Sequence, residues 1–220
     1  MKRLKISIIC LMLLSVIFTC VSFLFLNDII PTHFGIDGKP DQFGSKYFMI
    51  LFPAISALVG SSMLLVVKYA NVTENYKKYT LITGVILESV FLLLNVLFSV
   101  IALLYVENAP VFDFSKIILL IFGVMFIIMG NYMPKIEKNR TLGIKIKWSM
   151  YNEATWQKTH RFAGFVGVIV GILSLITALL FSEMINFIIF MSLIALFVIS
   201  TTIAAYHYYK QEINDHNNIE

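Results

Sequence analysis

Six near-continuous apolar runs, each long enough to cross a bilayer, leave this 220-residue chain few folds to choose from. They cover about 6–26, 47–67, 81–106, 117–133, 162–181 and 185–205. A helix crosses the hydrocarbon with roughly 20 residues, and a lipid-exposed open sheet would leave its backbone groups unpaired. The period-2 alternation of a transmembrane barrel is absent. The expected fold is therefore an all-α integral membrane protein with six transmembrane helices. At 59% hydrophobic and 14% charged residues, against about 45–50% and about 25% in soluble domains, the chain has no room for a separate catalytic domain. The first run follows the basic start Met1-Lys2-Arg3-Leu4-Lys5. It is too long for the apolar stretch of a signal peptide and no small-x-small cleavage site follows it, so it reads as a retained first span. Cys10 and Cys20 both lie in that run, about 15 Å apart on a helix and beyond disulfide reach.

Orientation follows from lysine and arginine. Of 17 such residues, only Lys39, Lys46 and Lys116 fall in loops on the side opposite the amino terminus. The positive-inside rule then predicts that both termini are cytoplasmic. The opposite face is acidic, with Asp28, Asp37, Asp41, Glu107, Asp113 and Glu183. A net charge of +4 dispersed in this way does not form the basic patch of a nucleic-acid binder. The runs divide the chain into a two-helix membrane domain over 1–79 with an outer loop over 27–46, a four-helix region over 80–206 with an inner loop over 134–161, and a cytoplasmic tail over 207–220.

The outer loop reads IPTHFGIDGKPDQFGSK over 30–46. Its glycines and prolines specify tight turns, because glycine admits positive φ and proline fixes its own. Asp28, His33, Asp37 and Asp41 lie close together, but they lack the spacing of a calcium loop or a zinc site. The expected role is recognition, with no metal and no cofactor, on a surface that also includes Pro31, Phe34 and Gly38.

The inner segment reads GNYMPKIEKNRTLGIKIKWSMYNEATWQKTHRFAG over 130–164. Asn152 followed by Glu153 reads as a helix start, with Asn as N-cap and Glu favoured by the helix dipole. Glu153, Trp156 and His160 then share one helix face, while Lys158 and Arg161 share another suited to lipid phosphates. An acid and a histidine on one stripe could serve acid–base chemistry. No nucleophile or metal-ligand cluster accompanies them, and the structural alternative is a juxtamembrane helix with Trp156 at the interface and Glu153 bonded to a loop group. No catalytic residue is assigned. In the following span, Gly164, Gly167 and Gly171 offer close helix packing.

Glu88 is the single carboxyl within the six apolar runs. A charge near the centre of a span costs about 2.5–3.5 kcal/mol on insertion scales, so such a group faces the bundle interior with a partner or is neutral. Asn95 lies two turns further along the same face. The pair could line a polar pocket or path, or could bond neighbouring helices together.

Taken together, the two polar segments resemble the SdpI family and its associated N-terminal membrane domain of unknown function. The outer motif rests on Pro31, His33, Phe34, Gly38 and Asp41. The inner one rests on Asn131, Pro134, Gly143, Trp148, Glu153, Trp156, Thr159, His160 and Arg161. Asn27, Lys145 and Lys147 depart from the family pattern. The resemblance implies a multi-pass protein of the bacterial cytoplasmic membrane that gives immunity to a secreted toxic peptide. It further implies that such a protein can hold a transcriptional repressor at the membrane. The expected partners are membrane lipid, a secreted toxin peptide and a cytoplasmic repressor, with no direct nucleic-acid contact. Two other classes stay open: a small transporter or proton path through Glu88, and an intramembrane enzyme using Glu153 with His160, or His33 with Asp37 and Asp41.

Overall fold

A computed structural model of the chain describes residues 1–35, 39–105, 114–139, 142–181 and 183–217. Asp37 and Gly38 of the expected outer surface lie outside the described residues. The elements run α1 (Lys2–Ser22), β1 (Ile29–Phe34), β2 (Pro40–Ser45), α2 (Leu51–Tyr69), α3 (Glu74–Leu104), α4 (Phe114–Tyr132), α5 (Glu153–Leu180) and α6 (Glu183–Asn217). Among the described residues six helices are long and apolar enough to cross a membrane, so the protein is an all-α membrane protein, to which the described residues add a small hairpin.

The chain forms two compact units, Met1–Ile117 and Ile118–Glu220. In the first, α1, α2 and α3 pack on one another. The sequence division places the third span with the later ones; its contacts lie with α1 and α2, because its polar residues find their partners there. α3 begins at Thr73, whose hydroxyl caps the Tyr76 N–H at 3.1 Å, with Glu74 in the first turn where the helix dipole favours it. Above the three helices, β1 and β2 pair antiparallel, with Ile29 opposite Ser45 and Phe34 opposite Pro40. The hairpin sits on an apolar cluster of Leu26, Ile30, Met49 and Ala102, flanked by Phe23, Phe52 and Phe98.

In the second unit, α5 starts with a reciprocal capping box. Asn152 accepts the Thr155 N–H and Thr155 accepts the Asn152 N–H, which pairs two donors that a helix start otherwise leaves free. Glycines let α4 and α5 meet backbone to backbone. A Cβ on Gly164 would stand 2.6 Å from the Gly130 carbonyl oxygen, and one on Gly171 would stand 2.6 Å from that of Gly123. Dispersion and close packing, rather than water expulsion, hold helices together in lipid, so these four positions set the approach of the pair.

Candidate functional site

The hairpin joins two polar pairs on its exposed side. The His33 Nδ1 and an Asp41 oxygen are 2.6 Å apart, both side chains more than half exposed. Asp28 and Lys46 pair at 2.9 Å across the base of the hairpin, where the Lys46 N–H also donates to the Asp28 carbonyl. Asp28 thus takes Lys46, one of the partners its loop offers, and Asp41 takes His33. Pro31 is buried, while Phe34 packs edge-on against Phe98. Phe43 lies 5.4 Å from Tyr105, centroid to centroid. The loop is therefore pinned from below by aromatic rings and presents polar groups above. Among the described residues no three His, Cys, Asp or Glu converge as metal ligands.

The inner segment is built around two side chains of the first turns of α5. Trp156 and His160, one turn apart, are fully buried and stacked, with centroids 3.8 Å apart and planes 23° from parallel. The indole N–H donates to the Ile136 carbonyl at 2.7 Å. His160 Nδ1 lies 2.9 Å from the Trp156 carbonyl, which can only accept, and its Nε2 lies 3.0 Å from the Ile144 N–H, which can only donate. Those two partners specify the neutral tautomer with its proton on Nδ1. The Trp156 N–H is thus satisfied inside the protein and needs no headgroup water.

Gly143 explains how the loop comes so close. It has φ +98°, and a Cβ there would stand 2.3 Å from His160 Nε2. Only glycine suits both the left-handed backbone and the bare approach. Ser149, fully buried, closes the same loop by donating to the Ile144 carbonyl at 2.6 Å. Pro134 packs on Gly164 at the end of α4, and Asn131 caps nothing beyond its own helix, donating to the Ile127 carbonyl. Thr159 is buried with its hydroxyl unpartnered.

Glu153 and Arg161 are exposed. Glu153 and His160 therefore do not form an acid–base pair: both histidine nitrogens are occupied by backbone groups, and the carboxylate lies at the outer edge of the first turn. Lys158, expected to face lipid phosphates, instead bonds Glu212 of α6 at 2.8 Å, and the same carboxylate accepts from Asn152 at 3.1 Å. Aromatic contacts extend this junction. Trp148 meets Tyr206 and Tyr151 meets Tyr209, each at 5.0 Å, and Lys147 and Lys210 lie over the rings of Trp148 and Tyr206.

Within the first unit, Glu88 and Asn95 are both buried, at 1% and 0% exposure, and face different neighbours. Glu88 accepts from the Ser56 hydroxyl of α2. The Asn95 amide approaches the Ser15 carbonyl and hydroxyl and the Thr19 hydroxyl of α1 at 2.9–3.2 Å. Ser15, Thr19, Ser56, Ser149 and Glu212 escape a sequence reading that searches for charged clusters. The signal that finds the first three is the burial of hydroxyl residues in spans whose apolar residues face outward.

Residues 135–205, which hold the Trp156–His160 stack and its loop, match the SdpI/YfhL protein family. That stretch is similar to the SdpI/YfhL family over about a third of the chain. Residues 10–57, spanning α1 and the hairpin, match a domain of unknown function, DUF1648. The SdpI/YfhL resemblance extends to individual relatives. The chain is 34% identical over 89 residues to the immunity protein SdpI of Bacillus subtilis, covering 40% of this chain and 42% of that protein. It is 37% identical over 43 residues to an uncharacterized protein of Archaeoglobus fulgidus, covering 20% of this chain and 24% of that one. The matched stretches thus span less than half the length of either relative. No solved structure matches the chain.

Proposed function

We propose that this protein is a membrane immunity protein: it protects the cell that makes it from a secreted membrane-active peptide by binding that peptide or blocking its insertion. The observation that carries the reading is the SdpI/YfhL region, supported by 34% identity to a relative named as an immunity protein. In this reading both termini lie in the cytoplasm, which the lysine and arginine distribution supports. The hairpin then stands outside with Asp28, Pro31, His33, Phe34 and Asp41, and meets the peptide. A cationic or amphipathic peptide finds an acidic, aromatic-backed surface there, and the helices take up its apolar part. The reading involves no covalent chemistry: both ring nitrogens of His160 are committed to backbone groups.

The inner segment, from Asn131 and Pro134 through Gly143 and Trp148 to Arg161, forms the cytoplasmic face. In the signalling role that the family resemblance implies, this face holds a transcriptional repressor while peptide is bound outside. Expression of the chain in a sensitive bacterium tests the reading. Survival in the presence of membrane-active peptides rises with the intact protein and falls back when His33 and Asp41 are both changed to alanine. Survival equal to that of cells lacking the protein, across several such peptides, contradicts it.

A further inference from the structure

The interior of the first unit is polar where a membrane bundle is ordinarily apolar. The buried residues of α1 are Ile8, Ser15, Thr19 and Ser22, and those of α2 are Ser56, Gly60 and Val67. Large apolar side chains such as Leu13, Ile17 and Leu58 are exposed on the outer surfaces of the same helices. On α3, Thr80, Gly84, Glu88, Asn95 and Ser99 are all buried and share one stripe. Nineteen positions separate the ends of that stripe, about 28 Å at 1.5 Å per residue, close to the roughly 30 Å of a hydrocarbon core.

Four polar atoms on the stripe are buried and unpartnered: Thr80 Oγ1, Glu88 Oε1, Asn95 Oδ1 and Ser99 Oγ. Each belongs to a side chain at most 1% exposed. Lipid offers them no hydrogen bond, and an unmatched polar group costs several kcal/mol there. Glu88 Oε1 and Met12 Sδ both pack closely on Gly60, where a Cβ would stand 2.9 Å from the oxygen and 2.5 Å from the sulfur. The carboxyl has one oxygen tied to Ser56 and the other set against the Gly60 backbone.

We propose that α1, α2 and α3 enclose a hydrated seam in which Glu88 is a proton-binding site. Water molecules donate to Asn95 Oδ1 and pair with the Ser99 hydroxyl, and the Glu88 carboxyl exchanges its proton with that water. Buried polar groups with two or more possible partners are where structural water is held. An intramembrane carboxyl facing such a path is the usual form of a proton relay. The groups facing Glu88 are Ser56 and Gly60 of α2 and Met12 of α1, none of them titratable. The titratable side chains of α1 and α2 are Lys2, Arg3, Lys5, Lys68 and Tyr69, all at helix ends, and Cys10 and Cys20, which are exposed. The proton is therefore held by Glu88 alone, without a fixed counter-ion.

Infrared difference spectroscopy of the full chain in lipid vesicles, between acid and alkaline buffer, tests this. A protonated-carboxyl C=O band should appear on the acid side, shift as soon as H2O is replaced by D2O, and be missing in Glu88→Gln. In Glu88→Asp the band should persist at a changed frequency, which assigns it even if the glutamine variant folds poorly. Asn95→Leu, which fills the seam, should slow the D2O shift at least tenfold. A Glu88 band that does not titrate, or that is unmoved by prolonged D2O exposure, would overturn the proposal and make the residue a dry packing contact.

Discussion

His160 Nε2 accepts the Ile144 N–H at 3.0 Å because residue 143 has no side chain: a Cβ there would lie 2.3 Å from the same nitrogen. The glycine, the histidine and the next backbone amide form one unit. Gly143→Ala should therefore strain both the left-handed backbone and the ring contact. A strained backbone position alone costs about 1–3 kcal/mol. The expected result is a lower Tm for the purified protein in detergent, with Trp156 fluorescence shifting to the red as the stack opens. An unchanged Tm would show that the loop can leave His160 without penalty.

Trp156→Phe separates the ring from its N–H. The phenyl ring can still stack on His160, but the Ile136 carbonyl loses its 2.7 Å donor. Leaving a buried acceptor unpaired costs about 1–3 kcal/mol. Denaturant unfolding should show a loss of that size, with the helix content of the folded state preserved. A loss of zero would mean that water replaces the indole.

The glycines of α5 should differ in tolerance. Gly164→Ala places a methyl group 2.6 Å from the Gly130 carbonyl oxygen and 2.9 Å from Pro134, whereas the nearest atom to a Cβ at Gly167 is 3.6 Å away. The first change should separate α4 from α5 and make the 134–161 segment more susceptible to protease. The second should leave cleavage unchanged. Equal susceptibility of the two variants would contradict the close packing.

Glu212→Gln tests the junction between α5 and α6. The carboxylate accepts from Lys158 and Asn152, but Lys158 is 44% exposed, so solvent screening limits the ion pair to about 0.2–1 kcal/mol. A double-mutant cycle with Lys158→Met should return a coupling in that range, smaller at high salt. A coupling several times larger, insensitive to salt, would show the pair to be dry.

The six spans were legible in the sequence because burial in lipid demands long apolar runs, and the α5 start was legible because Asn152 and Glu153 obey local capping rules. The His33–Asp41 contact was less so. It depends on the register shift between Pro31 and Phe34, which spacing alone does not reveal. Trp156 and His160 read as an interfacial anchor and a candidate base because helical periodicity shows which residues share a face. It does not show that Gly143 brings a loop down onto that face. Glu88 stood out at once, but its partner Ser56 did not, since serine in a span is as common in packing as in function. Glu212 was hidden in a polar tail whose helix is an extension of α6.

Membrane potential in living cells tests the central claim most directly. Sensitive bacteria producing the protein, and matched cells without it, are exposed to a membrane-active peptide while a potential-sensitive dye is followed. The immunity reading predicts that the potential collapses in the cells lacking the protein and holds in those that make it, with protection lost in the His33→Ala, Asp41→Ala double variant at equal membrane abundance. Collapse at the same rate and peptide dose in both cell populations, for every peptide tested, would contradict it.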